Sequence, residues 1–264
     1  GSWSDIYSFV VDLGSPSFTS PQTSTNSTTG PWGNINSTVL WSTTISARIT
    51  VEDALSGIFV STDLPPLLGQ WHMDESSGIM TLDASTRSHN ASLGTGISWT
   101  AGRSGRALAF NNAGNIAIAN DGTFNVGTGD ITVSAWIKTS NSGAKNILTK
   151  RTGSAAGYNL NKSAGNNASI ICSDGTDTAT ATSAKTINDN HWHFITGTCD
   201  ANSARIYVDG VLEHTVSATT VDTMDNSEPL EIGGDTGVFW VGDIDEVRIF
   251  NVAHSSIEVI NDYQ

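Results

Sequence analysis

The residues best equipped for chemistry stand near the C-terminal end, in Gly242-Asp243-Ile244-Asp245-Glu246-Val247-Arg248-Ile249-Phe250-Asn251. Three carboxylates crowd the start of a stretch whose Ile244, Val247, Ile249 and Phe250 are the residue types of a packed strand. Alternation puts Glu246, Arg248 and Phe250 on one side and Asp245, Val247 and Ile249 on the other. Asp245 is thus expected at the inward end of an apolar row, where a carboxylate without a partner is very costly. A bound cation, an arginine or a ring of backbone N–H groups could each be that partner. Asp243 shares the face of Asp245 while Glu246 lies opposite, so the three do not form a pair able to divide acid and nucleophile roles.

Other candidate groups read as architecture. The chain has no Gly-x-Ser-x-Gly elbow, no His-Glu-x-x-His and no phosphate-binding glycine loop. Asp121-Gly122, Asp174-Gly175 and Asp209-Gly210 are turn pairs, the last a type I′ hairpin signal. In His191-Trp192-His193-Phe194 the aromatic residues are expected in the core and both histidines outward, and a zinc site there would need further ligands. Trp71, Trp99, Trp136, Trp192 and Trp240 fall on strand-like blocks and are expected to be buried. Trp32, Trp41 and Tyr158 are freer and are the candidates for stacking on a sugar ring. Cys172 and Cys199 each end a predicted strand, and either pair as a disulfide or remain two buried thiols.

The elements that must position these groups are strands. Of 264 residues only 14% are charged, Ser, Thr, Asn and Gly recur throughout, and long runs of helix formers are absent. Acids outnumber bases 26 to 12, for a net charge of −14, which disfavours nucleic acid and anionic membrane surfaces and suits calcium. No apolar run is long enough for a transmembrane helix, so no membrane insertion is expected. The balance suits a secreted or cell-surface protein. Asn-x-Ser/Thr sequons at Asn26, Asn36, Asn90, Asn161 and Asn167 matter only if the source glycosylates.

Two regions differ in character. Residues 1–65 hold about three short strands, among them the strictly alternating Ile45–Val51, separated by a Ser/Thr/Asn-rich loop. The turn Glu52-Asp53-Ala54-Leu55-Ser56-Gly57-Ile58 resembles the opening of an immunoglobulin-like repeat, but three strands are too few for such a sandwich. This segment is expected to dock on its neighbour or to be exchanged with another copy, giving a homo-oligomer or filament. After Pro65-Pro66, residues 67–264 carry about a dozen short strands and one terminal helical turn capped at Ser255.

The ordered blocks Trp71-His72-Met73-Asp74-Glu75-Ser76-Ser77-Gly78, Asp83-Ala84-Ser85, Gly102–Phe110, Ile131–Lys138, His191–Thr198, Arg205–Gly210 and Gly242–Asn251 resemble the laminin-G-like, concanavalin A-like jelly-roll domains of secreted microbial proteins. The resemblance implies an all-β fold of two antiparallel sheets, here preceded by an N-terminal β extension. It also implies one structural calcium, with Asp83 and Asp245 as ligands, Asp74 as a further candidate, and carbonyls of the 86–90 loop completing the oxygen shell. Endo-glycanases on this fold carry a Glu-x-Asp-x-x-Glu strand, and this sequence has none. The expectation is a non-catalytic module that binds polysaccharide or another surface ligand. A structural subunit joined by strand exchange is the competing one.

Overall fold

The computed structural model describes residues 67–264 apart from Thr219. The N-terminal segment, with its immunoglobulin-like and strand-exchange readings and with Trp32 and Trp41, lies outside the described residues. In chain order the strands are β1 (Leu67–Trp71), β2 (Met80–Thr81), β3 (Ala91–Ser92), β4 (Ile97–Ala101), β5 (Arg106–Asn111) and β6 (Ile116–Ile118). Then come β7 (Ile131–Lys138), β8 (Lys145–Thr149), β9 (Ala156–Lys162), β10 (Asn167–Asp174), β11 (Thr178–Thr186) and β12 (Trp192–Cys199). The last six are β13 (Ser203–Val208), β14 (Val211–Ser217), β15 (Leu230–Ile232), β16 (Gly234–Asp235), β17 (Val238–Phe239) and β18 (Val241–Phe250), before the helix α1 (Ser256–Tyr263).

Two antiparallel sheets face each other as a jelly-roll sandwich. One runs β14-β13-β12-β7-β18-β5-β4, with β1 also paired to β18, and the other β11-β10-β9-β8-β15-β6. Each strand offers alternate residues to the space between them. From the first sheet come Leu108, Val133, Ile195 and Ile206, and from the second Leu148, Tyr158, Leu160, Ile170 and Ile232, all fully buried in one cluster. The sheets approach so closely at Gly197 that a Cβ there would stand 2.7 Å from Ile170. Cys172 of β10 and Cys199 of β12 are joined by a disulfide that ties one sheet to the other, with Cα atoms 6.7 Å apart.

The outer face of the first sheet has a core of its own. Trp136 and Phe194, opposite each other on β7 and β12, pack with Tyr263 of α1 at ring-centroid distances of 5.4–6.2 Å. The helix is held in place by a capping box at Ser255 and Glu258. This reverses the expected orientation of β12. Ile195 and Cys199 face the sandwich interior, so Phe194 is buried on the outer side and Trp192 beside it keeps partial exposure. His193, expected outward, is buried, with Nδ1 2.9 Å from Asp209 Oδ2 and Nε2 3.1 Å from Asp189 Oδ1.

The alternation expected along β18 is also broken. The register against β7 slips between Asp245 and Arg248, and Glu246 adopts φ 49°. A bulge of this kind sets two residues against one and changes the facing of everything beyond it. Ile244 and, past the bulge, Val247 and Ile249 point into the core, whereas Asp245 sits opposite Trp136 on the outer face. Asp245 therefore does not share a face with Val247. The left-handed Glu246 costs on the order of 1–2 kcal/mol. Its carboxylate is held on two sides, by His72 Nδ1 at 2.9 Å and by Arg248 Nη2 at 3.0 Å.

Candidate functional site

The three carboxylates expected to share a cation are engaged separately. Asp83 Oδ1 accepts from the backbone N–H groups of Gln70 and Ser85, and Oδ2 from the Ser85 hydroxyl and the His89 N–H, at 2.7–3.0 Å. Burial would raise the Asp83 carboxyl, but these donors hold it below its ordinary value. Asp245 Oδ2 accepts from the N–H groups of Arg103 and Ser104 at 2.8 and 3.1 Å, and Asp74 Oδ1 from Arg106 N–H at 2.8 Å. Asp74 and Asp245 thus fasten the 102–106 turn, while Asp83 closes its own loop. Among the described residues no three His, Cys, Asp or Glu side chains converge to hold a metal ion. A hard cation needs six to eight oxygen lone pairs directed at one point, whereas N–H and O–H donors converge on Asp83. Asp83 spends both oxygens on such donors, while Asp245 Oδ1 is buried with no hydrogen-bond partner.

Tyr158 is not a free stacking platform. It is fully buried in the core and its hydroxyl donates to the Phe124 carbonyl at 3.1 Å. Burial drives its phenol well above the usual range. Its neighbours in sequence provide the more informative surface. Along Tyr158-Asn159-Leu160-Asn161 the apolar side chains enter the core, so both asparagines face out.

That outward face continues across the whole six-stranded sheet. Thr180, Ile171, Asn159, Thr149, Glu231 and Ala117 share one register line across it, and Thr182, Ser169, Asn161 and Asn146 form a second. The polar groups are recessed: Asn159 and Asn161 are only 9% and 8% exposed, Ser169 2% and Thr149 0%. They also orient one another. Asn159 Nδ2 donates to Asn146 Oδ1 at 3.0 Å, and Asn146 Nδ2 donates in turn to Asp235 Oδ1 at 2.5 Å. Asn115 Nδ2 donates to Glu231 Oε1 at 2.8 Å and to the Gly234 carbonyl. Asn159 Oδ1, in contrast, is buried with no hydrogen-bond partner. Leaving such an acceptor unsatisfied costs about 1–3 kcal/mol.

The charges on this face belong to the same group. Arg151 is 8% exposed, with Nε donating to the Ala155 carbonyl at 3.2 Å and Asp235 offsetting the cost of its burial. Burial raises the Glu231 carboxyl above its ordinary value against the Asn115 bond, and Asp235 and Glu228 add to the rise. Donors and acceptors in fixed rows, at strand spacing, are what a chain of hydroxyl groups requires. Sequence reasoning missed these residues, although the amide-apolar alternation at 158–161 was there to be read.

The laminin G family model described as the concanavalin A-like lectin/glucanases superfamily matches residues 110–260. A search of the curated proteins finds no match. Among solved structures, the binding domain of Paraclostridial Mosquitocidal Protein 1 is similar at TM-score 0.64 and 17% identity, with 75% of this chain and 52% of that chain covered. The botulinum neurotoxin serotype G binding domain gives 0.61 and 15%, covering 75% and 50%. Domain 4 of AbnA, an extracellular arabinanase from Geobacillus stearothermophilus solved with arabinotriose, gives 0.61 and 14%, covering 75% and 98%. The chain spans about half the length of the two toxin binding domains. At these identities the likeness carries the fold. With more than half of its length matched by the family and its two sheets arranged as described, the chain belongs to the concanavalin A-like lectin/glucanases superfamily.

Proposed function

We propose that residues 67–264 form a non-catalytic glycan-binding module of a secreted or cell-surface protein, holding a hydroxyl-rich chain along the outer face of the six-stranded sheet. The observation that carries this reading is Asn159 Oδ1, a buried, unpartnered acceptor in the middle of cross-strand rows of amides and hydroxyls. A sugar hydroxyl donating to it would remove a standing energetic penalty, and such a gain is specific to ligands with a donor at that point. Arabinotriose bound by the arabinanase domain, and SialylT bound by a botulinum neurotoxin DC binding domain of TM-score 0.55 and 13% identity, support the class of ligand. The disulfide supports an oxidising compartment.

The engagement of three of the carboxylates supports the non-catalytic reading. Asp245 holds a turn, Glu246 is clamped by His72 and Arg248, and Asp235 is bonded to Asn146. The test is a glycan array followed by titration calorimetry on the best ligand, with Asn159→Leu and Asn161→Leu as variants. Binding should fall at least about tenfold in each, a loss of about 1.4 kcal/mol, while melting stays within a few degrees of the parent. Unaltered affinity in both variants overturns the site. Reducing ends released from the bound polysaccharide overturn the non-catalytic reading.

A further inference from the structure

On the opposite side of the sandwich, a cleft of about 420 Å³ opens where β7 ends and β18 begins. It is lined by Lys138, Ser140, Asn141, Asn190 and Asp243, with Thr139, Ser142 and the Val241-Gly242 backbone completing the wall. Lys138 and Asp243 have the facing of Trp136 and Asp245, away from the core, so the cleft and the amide rows lie on different faces of the molecule. Its size falls within the range of about 300–1,000 Å³ common to small-ligand sites.

The wall is built rather than incidental. Thr139 Oγ1 donates to the Val241 carbonyl at 2.6 Å and accepts from Asn141 N–H at 3.0 Å, and Asn190 N–H donates to the Thr139 carbonyl at 2.9 Å. Below, Gly143 N–H donates to Asn166 Oδ1 at 2.9 Å, and the buried Lys162 ammonium is bonded to both the Gly143 carbonyl and Asn166. Gly242, at φ 125°, allows the strands to close here, since a Cβ would stand 2.2 Å from the Lys138 carbonyl. Within this fixed frame Asn141 Oδ1 is buried and has no hydrogen-bond partner. Lys138 and Asp243 are register partners that attract each other without a close ion pair, which leaves both heads for a third group.

We infer that this cleft is a second, independent binding site for a neutral vicinal diol, the pattern presented by a terminal sugar ring. One ammonium and one carboxylate balance, which favours a neutral ligand over an anion or a cation. Adjacent hydroxyls answer that pair, one accepting from Lys138 and the next donating to Asp243, and a third donates to Asn141 Oδ1. No aromatic ring lines the cleft, so recognition here rests on hydrogen bonds rather than stacking.

The inference does not depend on the sheet-face site, and the test separates the two. The full chain, labelled with ¹⁵N, is titrated with the methyl glycosides of arabinose, galactose, mannose and glucose while the side-chain amide signals of Asn141 and Asn190 are followed. At least one sugar should give saturable shifts at both amides. These should weaken at least about tenfold in Asp243→Leu and in Lys138→Met, and persist in Asn159→Leu. Absence of saturable shifts with all four sugars overturns the inference, as do shifts unchanged in the Asp243 and Lys138 variants. If Asp243→Leu disturbs the fold, as its amide spectrum would reveal, Asn141→Leu replaces it, read at the Asn190 side-chain amide alone, with the same two outcomes.

Discussion

His193 Nδ1 lies 2.9 Å from Asp209 Oδ2, and the same carboxylate accepts the Phe194 N–H on Oδ1 and the Lys185 ammonium on Oδ2. With Asp189 on the other ring nitrogen, a buried imidazole is held between two acids. The Asp209 bond is the largest influence raising the His193 pKa above its ordinary 6.5, against the opposing effect of burial. Burial would raise Asp209, but His193, Lys185 and the Phe194 N–H bring it down to about 2.

The sign of the resulting pH dependence is fixed. His193 stabilises the fold fully below its unfolded pKa, and the contribution is lost as pH rises through the raised folded value. Asp209 stabilises above its unfolded pKa and fails only as pH falls through about 2. His193→Gln should therefore cost about 1–2 kcal/mol near pH 5 and much less near pH 8. Thermal melts of both proteins across that range check it, and a pH-independent difference rejects it.

Asp245 works in the same direction by a different route. Burial, with a smaller push from Glu246, lifts its carboxyl to about 7 against the N–H bonds of Ser104 and Arg103. The folded state therefore holds a proton that the unfolded state releases, and stability declines as pH rises from about 4 towards 7. Asp245→Asn keeps an acceptor for the turn and removes the charge. It should gain about 1–2 kcal/mol over the parent near pH 8 and nothing near pH 4 in urea titrations. A loss at both pH values would mean that the carboxylate has a partner other than the turn.

The disulfide closes a sequence separation of 27 residues between the two sheets. Chain-entropy arguments give such a loop about 3–4 kcal/mol. The Cys172→Ala/Cys199→Ala double variant should melt about 10 °C lower, and dithiothreitol should reproduce the drop in the parent but leave the double variant unmoved.

Gly197 and Ile170 set the spacing of the sheets at one point. Gly197→Ala inserts a methyl 2.7 Å from the Ile170 side chain and should destabilise by about 1–3 kcal/mol. Adding Ile170→Val should recover part of that loss, a coupling that a double-mutant cycle in chemical denaturation measures.

Chelation bears on Asp83. Its four hydrogen bonds close the loop without a cation. Melting of the parent should be unmoved by a calcium chelator, whereas Asp83→Ala should lower stability by about 2–3 kcal/mol through orphaned N–H groups. A melting temperature that falls on chelation and returns with calcium would assign a metal to the domain.

The strand pattern was legible because alternation is a local property. The Ile131–Lys138 strand, the Asp209-Gly210 turn and the Ser255 cap all stand where their residue types put them. Alternation does not say which of two apolar faces is interior. Trp192 and Phe194 compete with Ile195 and Cys199 for that role, and α1, arriving from the end of the chain, covers the aromatic side. Nothing in Glu246 announces a left-handed backbone, since its stabilisers, His72 and Arg248, include one 174 residues distant. Asp83 likewise belongs to a loop whose N–H donors converge only after folding, so its type alone suited cation and hydrogen-bond readings equally.

The bulge at Glu246 acts on β18 as a frameshift acts on a message. Upstream of it, every second side chain addresses the outer cleft and the 102–106 turn; downstream, the assignment inverts and the apolar residues complete the interior. Straightening the bulge with Glu246 kept in the ladder would transpose the two halves, sending Asp243 and Asp245 inward or Val247 and Ile249 outward, whereas deleting Glu246 alone would leave a regular ladder with both halves facing as they do. Glu246 is thus the one position in the middle of this strand whose loss would keep every remaining side chain on its own face.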